Sequence, residues 1–316
     1  MEYEIFQHYQ TLLFDVAHQN NLESYAIVDT LRDNEVQEEM VFSNLEYLDL
    51  WDKRLTRNEQ DVPLYLVKLE RHSHLVEYLL ESHSKGLATY FMSAYSLEEL
   101  RAYYSKFTFP KIEAKRGEFT RGILGFYDAH VLTNYISTLY NSEKIEEFFA
   151  PSPLWFVPDL KDENLLSLHY INAQEILNSL PITMSREGIK RLEELYISKR
   201  EVELIAKDRV IDFTQVEEFN LLEREKFVDA VFEEFEEEGF GFMVDAKKWK
   251  ALTLTTLLDE AKSLGLESEA GAYHYILLCC LSGGSLRESR VVEEMLTFDA
   301  ELDGLILLEK QIERRG

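Results

Sequence analysis

Two carboxylates stand where chemistry could be done. Asp29 closes the apolar run Tyr25 to Val28, and Asp128 closes the run Ile123 to Tyr127. In layered α/β sheets, active sites gather at strand ends. A pair of carboxylates there can share the work of general acid and general base, or hold a metal. Both residues also have a structural reading. Asp128 directly precedes helical spacing and suits an N-cap, while Asp29 suits the polar stop of a strand. His130 can pair with Asp128, and its place in the first helical turn also suits a surface residue. The densest histidine feature is His72-Ser73-His74. Residues two apart on a helix do not share a face, and no nearby Cys or third His completes a ligand set, so a polar helix start is the simpler account. The sequence has no G-x-S-x-G elbow, Walker loop, H-E-x-x-H helix or C-x-x-C pair. No catalytic, cofactor-binding or metal-ligating residue is assigned, and the chain is expected not to be an enzyme.

The elements that would position these residues alternate in the first half. Residues 3 to 20 carry Ile5, Tyr9, Leu12/Leu13 and Val16 at helical spacing. Apolar runs predict strands at Tyr25–Val28, Leu64–Leu69, Leu87–Ala94, Ile123–Tyr127 and Leu165–Ile171. Between them, Leu75 and Tyr78 to Leu80 mark a helix that Lys85-Gly86 would stop. Ser96-Leu97-Glu98-Glu99 is a capping box for another. Val131/Leu132, Tyr135/Ile136 and Leu139/Tyr140 give one face of a helix behind Asp128, and a shorter helix follows at Glu143–Phe149. Residues 31 to 62 read as irregular. Strand order and direction are left open. After Pro158 to Pro181 strand signals almost vanish, and helices are expected over 185–206, 214–238, 246–264, 268–281 and 286 onward. Capping boxes start at Thr214 and Ser285. The fold class is therefore α+β or α/β: a mixed sheet domain over 1–178, followed by an all-helical lobe over 182–316.

The chain has 316 residues, 46% of them hydrophobic and 12% aromatic, which can bury a sizeable core. It has 33 basic and 59 acidic side chains, a formal charge of −26. That balance repels phosphate and argues against nucleic acid and anionic membrane surfaces as partners. It favours solubility and steers basic partners. The adjacent Cys279 and Cys280 point apart on a helix, as befits a reducing compartment. The N-terminus lacks a secretory pattern and no run of 18 apolar residues occurs, so a cytoplasmic protein is expected.

Two groups are candidates for contact with a partner. Asp229 to Glu238 places Phe227/Val228, Val231/Phe232 and Phe235 on one helix face, with Asp229, Glu233, Glu236 and Glu237 opposite. Like charges at that spacing cost about 0.2–0.5 kcal/mol per pair, so the cluster suits a basic partner as well as plain solvation. Phe148, Phe149, Trp155 and Phe156 stand beside three prolines near the expected domain boundary and suit either an interface or the core.

Leu124-Gly125-Phe126-Tyr127-Asp128-Ala129-His130-Val131-Leu132 resembles the F-R-F-Y-D-P-R-V-L signature of the type VI secretion adaptor chaperones, a family catalogued as a domain of unknown function that includes the Tap or TEC proteins. Phe126, Tyr127, Asp128, Val131 and Leu132 carry the match. Gly125, Ala129 and His130 stand where the signature has Arg, Pro and Arg. Glu147 to Pro151 and Trp155 fit the signature's tail, and Ala261 to Glu269 fits loosely a C-terminal segment of the same adaptors. The resemblance covers 24–159 well and 245–285 loosely. It implies a bacterial cytoplasmic adaptor, without cofactor, that binds one cognate secreted effector and delivers it to the VgrG spike or a PAAR-containing tip. One lobe would shield an apolar or basic effector segment while acidic helices steer it. An immunity protein that neutralises a basic toxin is the alternative, and a small hydrolase using Asp29 and Asp128 is a further one.

Overall fold

The computed structural model describes residues 3–30, 33–50, 64–82, 85–122, 124–126, 128–139, 142–159, 162, 165–172, 176–193, 204, 209–237, 254–263, 266 and 269–281. The chain forms two compact units, Met1–Phe219 and Asn220–Gly316. The sequence placed the change of character at 178–182.

The first unit opens with helix α1 (Tyr3–Gln10), which runs through a π-helical turn at Thr11–Val16 into α2 (Ala17–Gln19). Then come β1 (Glu23–Asp29), α3 (Asn34–Ser43), β2 (Tyr47–Asp49), β3 (Leu64–Lys68), α4 (His74–Glu81), β4 (Ala88–Ser93) and α5 (Leu97–Thr108). A hairpin of β5 (Lys111–Lys115) and β6 (Glu118–Arg121) precedes α6 (Ala129–Ser137) and α7 (Ser142–Phe149). The unit continues through β7 (Leu154–Pro158), β8 (Leu165–Ile171), β9 (Leu177–Thr183), α8 (Arg186–Glu193) and β10 (Val210–Ile211). Helix α9 (Phe213–Glu237) contains the boundary between units, and α10 (Thr255–Ser263) and α11 (Glu269–Leu281) lie in the second.

Seven strands form one sheet in the order β2-β3-β1-β4-β7-β8-β9, and every pair in it is antiparallel. The fold is α+β. Helices cover both faces, which explains why β1 and β4 read as nearly unbroken apolar runs instead of alternating ones. On one face, Ala26, Val28, Val67 and Met92 pack with α1, α3, α4 and α8. On the other, Tyr25, Ile27, Phe91 and Trp155 pack with α5, α6 and α7. A second, three-stranded sheet has the order β10-β5-β6.

The capping box of α5 forms as its sequence predicts: the Glu99 amide donates to Ser96 Oγ at 3.3 Å and the Ser96 amide to Glu99 Oε2 at 2.8 Å. The Ser96 amide and hydroxyl, both donating to Glu99 Oε2, hold that carboxyl below its ordinary value. Ser73 caps α4, which makes His72-Ser73-His74 a helix start. Three readings are corrected. Leu124–Phe126 is a turn, not a strand: the Asp128 amide donates to the Gly125 carbonyl at 2.8 Å. Leu124 and Phe126 are apolar because the turn itself is buried, and a short apolar run has no period to distinguish the two cases. Residues 31–62 contain α3 and β2 among the described positions. Finally, Asp212, not Thr214, caps α9, its Oδ1 accepting from the Gln215 amide at 3.1 Å. The box expected at Ser285 and the helix expected from 286 lie outside the described residues.

The described part of the second unit is helical. Val228 and Val231 of α9 pack with Leu257, Leu258 and Ala261 of α10 and Tyr275 and Ile276 of α11. Cys279 is buried there. No helix among the described residues is long and apolar enough to cross a membrane.

Candidate functional site

The signature residues build the end of α6. Asp128 has extended backbone, and its Oδ1 accepts from the amides of His130 at 2.8 Å and Val131 at 3.1 Å. Its carboxylate thus satisfies two amides that the first helical turn leaves without partners. His130 is exposed. Leu132 is buried and Val131 packs, half-buried, against the same core. Phe126 is fully buried, with its ring centroid 5.9 Å from that of Tyr104 and 6.4 Å from that of Phe148. Tyr127 lies outside the described residues. Asp29 is the buried last residue of β1, with its amide bonded to the Leu87 carbonyl at 2.9 Å. Among the described residues, no group of three or more His, Cys, Asp or Glu side chains is placed to hold a metal ion.

A transverse row crosses the sheet beneath α5 and α7. Cross-strand register sets Tyr25 opposite Phe91, Phe91 opposite Trp155, Trp155 opposite His169, and His169 opposite Ser179. Residues opposite one another share a face. Phe91 stacks on Trp155 at 4.6 Å between centroids, and Phe148 of α7 stacks on Trp155 at 5.1 Å. Phe148, Phe149 and Trp155 therefore belong to the core on this face, and Phe156 belongs to the core on the opposite face. All four are at most 2% exposed. Their packing agrees with the core reading of these aromatics, and none of them offers a side-chain surface to a partner in this structure. His169 Nδ1 lies 2.8 Å from Ser179 Oγ, and burial pulls its imidazole down to a pKa of about 4.

The most concentrated electrostatic feature was not legible in the sequence. Arg209 is 4% exposed, and its guanidinium carbon sits 4.4 Å from the Tyr103 ring centroid and 4.7 Å from that of Phe107. It donates to Glu147 Oε1 of α7 at 2.6 Å. The Tyr103 hydroxyl donates to the Glu147 carbonyl, and burial pushes that hydroxyl up to about 12. The segment after Arg209 is tied down as a strap. The Arg209 carbonyl accepts from the Lys111 amide at 2.8 Å, the Val210 carbonyl from Lys144 Nζ at 2.8 Å, and Glu113 Oε2 from the Phe213 amide at 3.0 Å. Two-residue β10 is the parallel strand that results. A lone arginine in a polar stretch carries no sequence signal for such a place.

On α9, Asp229 and Glu233 are exposed, with Val228 and Val231 buried. Glu236 and Glu237 belong to the same helix, and their side chains lie outside the described residues.

Residues 24–145 match the model of a family described as Domain of unknown function (DUF4123). The matched span runs from β1 into α7 and includes the capped Asp128. No curated protein and no solved structure matches the chain.

Proposed function

We propose that this chain is a cytoplasmic adaptor chaperone of bacterial type VI secretion, which binds one cognate effector and loads it onto the VgrG spike or a PAAR-containing tip without catalysing a reaction. The observation that carries this reading is the family match over 24–145, which coincides with the F-Y-D signature. The way the signature is used fits a binding protein. Its carboxylate is engaged as a helix cap, and Phe126, Val131 and Leu132 pack in one core. Two backbone amides donate to Oδ1 of Asp128.

A binding role also fits the charge. A net charge of −26 raises the encounter rate with basic polypeptides and discourages association with nucleic acid. Glu233, Glu236 and Glu237 would contribute to that steering field. Specific protein complexes bury ~1,200–2,000 Å² in total, with a few anchors dominating. In this chain the anchors have to come from exposed side chains, since Phe148, Phe149, Trp155 and Phe156 are enclosed.

Co-purification tests the reading. The tagged chain, expressed with the products of its neighbouring genes, is expected to retain a cognate effector through gel filtration and to bring down a spike or tip protein. Elution of the chain without either protein would contradict the assignment.

A further inference from the structure

Helix α3 presents an unusual outer face. Val36 and Met40 are its buried positions and belong to the core beneath it. Glu38, Val41 and Phe42 lie three and four residues apart and face outward. Val41 is 65% exposed and Phe42 74%. After the left-handed turn at Asn44, the chain enters β2, the terminal strand of the large sheet, where Tyr47 is 40% exposed. Tyr47 pairs with Val67, whose side chain lies in the same core as Val36, so Tyr47 is on the face of the sheet that α3 covers. Its ring meets that of Tyr65 edge-on at 5.6 Å.

The backbone of Tyr47 also points outward. The Glu46 carbonyl accepts from the Lys68 amide and the Leu50 amide donates to the Leu64 carbonyl, so alternate residues face β3 and Tyr47 directs its own amide and carbonyl away from it. Single exposed apolar side chains need no explanation, whereas a group on adjoining elements marks an interaction site. Among the described residues of α3 and β2 the charges have one sign. Residues 33–50 hold six carboxylates and neither Lys nor Arg. Lys85 pairs with Asp33 at the opposite end of α3, and Arg101 donates to the Asp49 carbonyl. Glu38 and Asp49 are exposed beside the apolar positions, whereas Glu46, opposite Lys68, lies on the other face of the sheet.

We propose that this corner docks a basic, amphipathic segment of another polypeptide. Its apolar side chains would cover Val41, Phe42 and Tyr47 while its Lys or Arg residues meet Glu38 and Asp49. Naming that polypeptide as the effector rests on the adaptor reading; the chemistry of the segment does not.

The test titrates the full chain with a labelled synthetic peptide of Leu and Lys at helical spacing, read by fluorescence anisotropy. Binding is expected to weaken as ionic strength rises and to be lost when Glu replaces Lys in the peptide. Phe42→Ser and Tyr47→Ser should each weaken it about tenfold or more, as loss of a central anchor does. Because Phe42 is exposed, its variant should keep the parent's thermal midpoint. Equal affinity in parent and variants would overturn the proposal. A parent dimer that Phe42→Ser dissociates would also overturn it, by making a second copy of the chain the occupant. Failure of the effector to co-purify would leave these results standing and would sink only the adaptor reading.

Discussion

His169 lies between Trp155 and Ser179 in the transverse row, with burial holding its pKa near 4 against an ordinary 6.5. Between those two values the unfolded chain binds a proton that the folded chain refuses, so stability rises with pH across the window. The contribution is complete above pH 6.5 and is lost as pH falls toward 4. Its full size is about 3 kcal/mol, from about 1.4 kcal/mol per pKa unit. Urea unfolding from pH 7 to pH 4 is expected to show that loss, and His169→Gln should remove most of it. An unchanged pH slope in the variant would show that the imidazole is not the titrating group. Asp128 was legible as a cap because it directly precedes helical spacing, and its two accepted amide bonds follow from that position. Arg209 was not legible, because nothing local to it specifies a ring pair contributed by residues 103 and 107.

At the scale of elements, legibility followed the strength of the local pattern. α5 was readable from its capping box, and β1, β4 and β8 from their apolar runs. α3 escaped because its core contact rests on Val36 and Met40, too few to show a period among so many polar neighbours. β9 contains Pro181, which breaks a strand pattern in sequence but is tolerated at the edge of a sheet, where β9 lies. The β5–β6 hairpin is mostly exposed and charged and so lacks an apolar alternation. β10 exists only because the strap around Arg209 is held on several sides. Glu147→Ala leaves a buried guanidinium without its carboxylate, and breaking a buried pair costs about 3–5 kcal/mol. The low end is expected, since Glu147 is partly exposed. Arg209→Met keeps an apolar stem between the two rings and should cost less. Urea midpoints for the two variants in the reverse order would contradict this account of the strap.

At the scale of the molecule, the two units carry different features. The first presents the matched family span, the two covered sheet faces and the apolar, acidic corner of α3 and β2. The second is built on α9, α10 and α11, with exposed carboxylates on α9. Neither the charge nor the packing identifies a transported protein; that part of the account comes from the signature around Asp128. The most direct test is therefore export. A strain lacking this gene, compared with its parent and with a complemented strain, is assayed for the effector that co-purifies with the chain, in the culture supernatant and in the cells. The account predicts that the effector disappears from the supernatant of the deletion strain and returns on complementation, while other effectors are exported as before. Normal export of that effector from the deletion strain would contradict it.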